Sequence, residues 1–138
     1  MTVPMKWGHS LEVLKEMFPT ITYGNDGNIH YAKLPGYVTL HNFPGDCNTL
    51  TIHGVTSATT DSLKLARAFA SANGFNKIVG TLVLYPDHHD ASHYISKLKL
   101  AGFRVLQKGI SNRKGKDVVS YTVQCYIKNP QWKGYFND

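Results

Sequence analysis

Most of the residues that could do chemistry fall in one stretch. Thr49-Leu50-Thr51-Ile52-His53-Gly54-Val55 reads as a strand, and it passes through Thr56-Ser57-Ala58-Thr59-Thr60-Asp61-Ser62 into a helix at Leu63. A strand that enters a helix through small and hydroxyl residues is a common way to offer backbone N–H groups to a phosphate. A phosphate-bearing cofactor is therefore the first expectation, with the hydroxyls of Thr59, Thr60 and Ser62 adding to the free N–H groups of the helix start. His53, near the end of the strand, has a near-neutral ordinary pKa. It suits a general base acting directly or through water, and equally a plain strand residue packed against a neighbour.

Other chemistry-bearing residues carry less. His88, His89 and His93 cluster, and His89 and His93 are one helical turn apart, a spacing at which two imidazoles can share a zinc ion. Asp87 and Asp90 instead mark a helix-capping loop, and no further ligand completes a set, so no metal is expected. His30 and His41 read as strand-face residues. Cys47 and Cys125 show no disulfide or Cys-x-x-Cys pattern, and Cys125 reads as a buried small hydrophobe. Arg113-Lys114-Gly115-Lys116 reads as a solvated loop tip, with the alternative that it grips an acidic acceptor or phosphates.

The elements that must position these residues follow from periodicity. Ser10 caps a helix whose Leu11, Leu14 and Phe18 share a face, and Pro19 stops it. Ile21-Thr22-Tyr23 and Ile29 to Leu34 flank the turn cluster Gly24 to Asn28, which predicts a hairpin. Tyr37 to Phe43 and Asn48 to Val55 predict a second pair of strands joined by Pro44-Gly45-Asp46. Leu63 to Asn73 is amphipathic with Gly74 beyond its end. Lys77 to Leu84 is nearly all apolar and predicts a central strand covered on both faces, as in a parallel sheet. Asp90 to Ala101 predicts a second amphipathic helix, with Tyr94, Ile95, Leu98 and Ala101 inward and Gly102 beyond its end. Phe103 to Gln107 and Ser120 to Ile127 predict two closing strands joined by the loop Ser111 to Asp117.

A chain of 138 residues with 42% hydrophobic and 17% charged residues suits one globular domain. Its net charge of +6 attracts anions, whether a phosphorylated cofactor, an acidic protein surface or nucleic acid. No apolar run is long enough for a bilayer, and Met1 to Lys6 leads into no signal-peptide core. A cytoplasmic protein is expected. Trp132, Tyr135 and Phe136 are expected to pack back on the core.

Helix, antiparallel strands, then strand–helix–strand–helix–strand–strand is a mixed α/β order that resembles the GNAT (Gcn5-related N-acetyltransferase) fold: an antiparallel meander followed by β-α-β-α-β-β. The best local match is Ala91 to Phe103, a helix ending in Ala101-Gly102-Phe103 and running directly into a strand, where the family has Leu-Gly-Phe. The resemblance implies acetyl-CoA as substrate and transfer of its acetyl group to an amine acceptor, a protein among the candidates. It implies that Ile52, Gly54 and Val55 lie along the pantetheine where the fourth strand splays from the fifth, with Gly54 allowing close approach. Thr59, Thr60 and Ser62 then serve the pyrophosphate, His53 is the base, and Tyr94 is the proton donor to the leaving thiolate. The chain departs from the pattern in three places. Thr56 to Ser62 carries neither glycine nor basic residue, and Asp61 would repel a pyrophosphate. Leu98 stands where the family's tyrosine is frequent, and Tyr94 lies one helical turn earlier. The usual first strand also has no counterpart in the predicted elements. The alternative is a non-catalytic GNAT-like interaction protein, such as a phage accessory or virion-associated factor in the host cytoplasm or virion. It would act through a homo-oligomer or a partner complex. Nucleic acid binding is the third reading, supported by charge and aromatics alone.

Overall fold

The computed structural model describes residues 7–27, 29–43, 48–85 and 91–127. The turn at 44–46, Cys47, His88, His89 and the aromatic residues Trp132, Tyr135 and Phe136 lie outside them. The order is α1 (Leu11–Met17), β1 (Thr22–Asp26), β2 (Ile29–Leu34), β3 (Val38–Asn42), β4 (Thr49–His53), a 3-10 turn (Val55–Ser57), α2 (Thr60–Ala72), β5 (Lys77–Leu84), α3 (Ala91–Leu100), β6 (Arg104–Arg113) and β7 (Lys116–Tyr126). The fold is mixed α/β. The strands form one sheet in the order β1-β2-β3-β4-β5-β7-β6. Every neighbouring pair is antiparallel except β4 with β5. No helix of the described residues is long and apolar enough to cross a membrane.

α1, α2 and α3 lie on one face of the sheet. Phe69 of α2 meets Trp7, Phe18 after α1, and Tyr23 of β1, with ring centroids 5.1, 5.4 and 5.9 Å away. Arg67 of α2 donates to the Ala101 carbonyl just after α3 at 2.9 Å. Strand residues facing this layer are buried: Ala32, Leu34, Leu40, Leu50, Ile52, Ile78, Leu82 and Leu84. Their alternates are half-buried or exposed, as the pleat requires when one face is wet: Tyr31, Thr39, His41, Thr51, His53, Val79 and Thr81. The expectation that β5 is covered on both faces therefore needs correction. Its neighbours flank it on both edges, but among the described residues only its helix face is packed.

α2 and α3 stop by one device. In α2 the N–H of Phe75 donates to Ala70 O at 2.9 Å and that of Gly74 to Ser71 O at 3.2 Å. In α3, Phe103 donates to Leu98 O at 2.9 Å and Gly102 to Lys99 O at 2.9 Å. Both are Schellman ends with a left-handed glycine, φ 79° and 93°, and a buried Phe packed behind it. Asn73, also buried, joins the N-terminal segment to α2. Its amide donates to Phe69 O and its oxygen accepts from the Gly8 N–H, both at 2.8 Å.

Four boundaries differ from expectation. Gly24, Asn25 and Asp26 belong to β1 rather than to a turn, because Gly24 leaves room for the Tyr31 ring across the strand. Val55 leaves the strand for the 3-10 turn. α2 begins at Thr60, a turn before its apolar stripe, because Thr59 caps it. The stretch 111–117 is a tight hairpin tip, not a loop, with Lys114 and Gly115 at positive φ. Among the described residues four strands precede α2, the number that the sequence predicts.

Candidate functional site

The parallel pair β4–β5 parts at a fixed point. Thr49 to Ile52 pair with Lys77 to Gly80, and the pairing ends at Ile52–Gly80. The strands are close there: a Cβ on Gly80 would lie 2.6 Å from Ile52 Cγ2 and 2.7 Å from Ile52 O. Beyond it β4 ends at His53, and Gly54 turns the chain away at φ 82° into the 3-10 turn. β5 runs on through Thr81–Leu84, paired with β7 only. Among the described residues, no strand pairs with this part of β5 on its β4 side. The parting lies at the C-terminal ends of two parallel strands, where open α/β sheets place ligands.

The expected site residues are distributed around this point. Ile52 is buried toward the helices, and Val55 is buried just after the turn. His53 is exposed on the uncovered face. Gly54 is a close approach of the chain to itself, because a Cβ there would overlap the Tyr37 carbonyl. Thr59 and Ser62 are engaged within the fold. Thr59 Oγ1 accepts the Ser62 N–H at 3.0 Å and donates to Ser62 Oγ at 3.1 Å, and Ser62 Oγ donates to Pro35 O at 2.7 Å. Thr60 is half-buried at the first position of α2 and Asp61 is exposed beside it. Tyr94 is half-buried on α3, its ring 5.5 Å from that of His93 and 5.0 Å from Lys97 Nζ. It stands in the helix layer, so His53 and Tyr94 are on opposite faces of the sheet.

His53 has a neighbour that sequence reasoning missed. The His41 ring lies edge-on at 4.5 Å, and beyond it are Phe43 at 6.0 Å and Tyr31 at 6.2 Å. Burial first, and the charge of His53 second, hold His41 below its ordinary pKa. The two histidines are diagonal partners, since His41 pairs with Thr51 and His53 with Thr39. Alternation within each strand was readable, but this register was not.

Tyr85, just past β5, lines a cavity of about 280 Å³ with Arg113, Lys114 and Lys116 of the β6–β7 hairpin tip. A larger concavity, about 540 Å³, lies elsewhere between α2 and the end of β7, with Lys64, Arg67 and Tyr126 in its walls. Cys125 is buried beside Arg67, and burial outweighs the guanidinium to push its thiol pKa up. No group of three metal-ligating side chains is present among the described residues. No family model matches the chain, and no curated protein or solved structure is significantly similar to it.

Proposed function

We propose that the chain is a small acyltransferase of GNAT-like build that binds acetyl-CoA and transfers acetyl to an amine. The observation that carries this reading is the parallel pair that closes tightly at Ile52–Gly80 and then parts, with α2 beginning seven residues after β4 ends. An extended thioester arm could lie along the edge of β5 beyond Gly80, hydrogen-bonded as a strand would be. A phosphate at the start of α2 would meet backbone N–H groups and the Thr60 hydroxyl. The hydroxyls of Thr59 and Ser62 serve the cap and Pro35 instead. His53, the last residue of β4, stands next to the parting and suits the base. With the thioester in the opening between the strands, the amine nitrogen would attack its carbonyl carbon and the C–S bond would break. His53 would take the amine proton from the uncovered face, and the Tyr94 phenol would protonate the thiolate from the helix layer on the other. Positioning and a backbone donor to the oxyanion would supply most of the rate.

Isothermal titration with acetyl-CoA tests the reading. Binding is expected, and ligand at a hundred times its Kd would add about 2.7 kcal/mol of stability. His53→Ala should lower turnover and leave that affinity intact. No heat and no change in melting temperature would overturn the proposal.

One observation favours a second reading, a non-catalytic interaction protein. The uncovered face carries Tyr31, His41, Phe43 and His53 side by side, and exposed aromatic groups favour partner contact. That reading predicts no response to acetyl-CoA and a stable oligomer or complex.

A further inference from the structure

The uncovered face of the sheet holds a cavity of about 400 Å³, lined by Asn25, Asp26, Tyr31, Lys33, Thr39 and His41. The strand register fixes how these residues are arranged. Tyr31 pairs with Gly24 on one side and His41 on the other, and the missing side chain at Gly24 lets the Tyr31 ring lie over β1. Lys33 Nζ stands 5.5 Å from the centre of that ring, which locates the ammonium above the cavity's one phenol. Asp26 is two residues beyond Gly24 along β1 and so shares its face. An aspartate side chain is short, so its carboxylate stays close to the wall it helps to form. Among the described residues Asp26 and Lys33 are not joined in an ion pair. The cavity therefore offers one anion and one cation, set apart by an aromatic ring.

The same register leads from this cavity to the proposed base. Lys33 pairs with Thr39, and Thr39 pairs with His53, so the three stand in one row across β2, β3 and β4. Two strand spacings separate Lys33 from His53, about 10 Å. His41, in the cavity wall, has its ring 4.5 Å from that of His53. A ligand held at Lys33 and Asp26 thus reaches His53 through a flexible stem that ends in an amine. We infer that this cavity takes the acceptor, and that the acceptor is a free basic amino acid of the lysine kind. Its α-carboxylate meets Lys33, its α-ammonium meets Asp26, and its side-chain amine lies beside His53. Charge-assisted hydrogen bonds of both signs then hold the zwitterionic head. An amine that lacks either head group leaves one of the two wall charges unanswered, which is how the cavity discriminates. In the transfer the side-chain nitrogen bonds to the acetyl carbon as the C–S bond breaks. Its proton passes to His53, and the thiolate takes one from Tyr94, which leaves a side-chain amide and a free thiol. The inference rests on the acyl-transfer reading for this chemistry, and on the cavity alone for the class of ligand.

Three probes would be titrated into the full chain: lysine, cadaverine, which lacks the carboxylate, and ε-aminocaproate, which lacks the α-amino group. The amide resonances of 24–26, 31–33 and 39–41 would be followed by NMR. Lysine should bind about tenfold tighter than either analogue, the size of one charge-assisted hydrogen bond. Lys33→Gln should erase the preference over cadaverine alone, and Asp26→Asn the preference over ε-aminocaproate alone. With acetyl-CoA present, mass spectrometry should find the acetyl group on the side-chain nitrogen of lysine. Equal binding of the three probes would overturn the inference, as would preferences that survive both substitutions or acetylation of the α-nitrogen. Absence of acetyl-CoA binding would instead overturn the acyl-transfer reading, and the measured preferences would still decide whether the cavity is an amino-acid site.

Discussion

His41 can be tested through pH. Burial and, secondarily, His53 lower its pKa in the folded chain. The unfolded chain therefore takes up this proton at a higher pH than the folded one. Stability is full above about pH 6.5 and falls as pH drops below it. His41→Gln removes the imbalance, so melting temperature should fall less between about pH 7.5 and about pH 5.5 than in the parent chain. Parallel pH profiles for the two proteins would show that His41 is not the cause. Asp61 offers a second single-residue test. It is exposed in the first turn of α2, where its charge favours the helix dipole and opposes an incoming phosphate. Asp61→Asn should tighten acetyl-CoA binding about two- to fivefold at low ionic strength, with the gain shrinking as salt screens it. Titration at low and high salt measures both. A variant with unchanged affinity at low salt would move the phosphates away from α2.

At the scale of elements, Gly80 sets where β4 and β5 stop touching. Gly80→Ala would place its methyl group against Ile52 Cγ2 and the Ile52 carbonyl, and the carbonyl is backbone and cannot rotate aside. The strands must separate, so a loss of about 1–3 kcal/mol is expected in urea unfolding, together with altered acetyl-CoA affinity. A neutral substitution would mean that the last parallel pair is loose. Nothing in the sequence around Gly80 announces this role, because it depends on which residue of β4 lies opposite. The same limit hid the His41–His53 contact. Local features were readable: β5 has the bounds its apolar run predicts, and both Gly-Phe pairs end helices. The first turn of α2 was missed because Thr60, Asp61 and Ser62 are polar and only the Thr59 cap marks them as helical. The distal halves of β6 and β7 were missed because their charged and small residues resemble a loop. Only the mutual pairing of the two strands makes them a ladder.

At the scale of the molecule, one helix layer on one sheet face means one core, and Phe69 sits where its N-terminal and central parts meet. Its ring touches Trp7, Phe18 and Tyr23, which belong to the N-terminal segment, the end of α1 and β1. Trp7 is fully buried there, and its indole N–H has no hydrogen-bond partner among the described residues. Packing therefore holds much of this region to α2, beside two polar links, the Asn73 bridge to Gly8 and the 2.8 Å hydrogen bond between His9 Nε2 and the Ala72 carbonyl. Phe69→Ala would open a cavity under all of these rings and should cost about 3–5 kcal/mol. That is a large share of the roughly 5–15 kcal/mol that a domain of this kind possesses. Because the lost contacts join α1 and β1 to α2, the damage should spread to the whole chain. Urea unfolding followed by far-ultraviolet circular dichroism and by tryptophan fluorescence should shift to lower midpoint with the two curves still coincident. If fluorescence fell first and the ellipticity of the sheet persisted, the N-terminal part would be a separate unit. The uncovered face would then be the exposed side of a smaller sheet that folds without it.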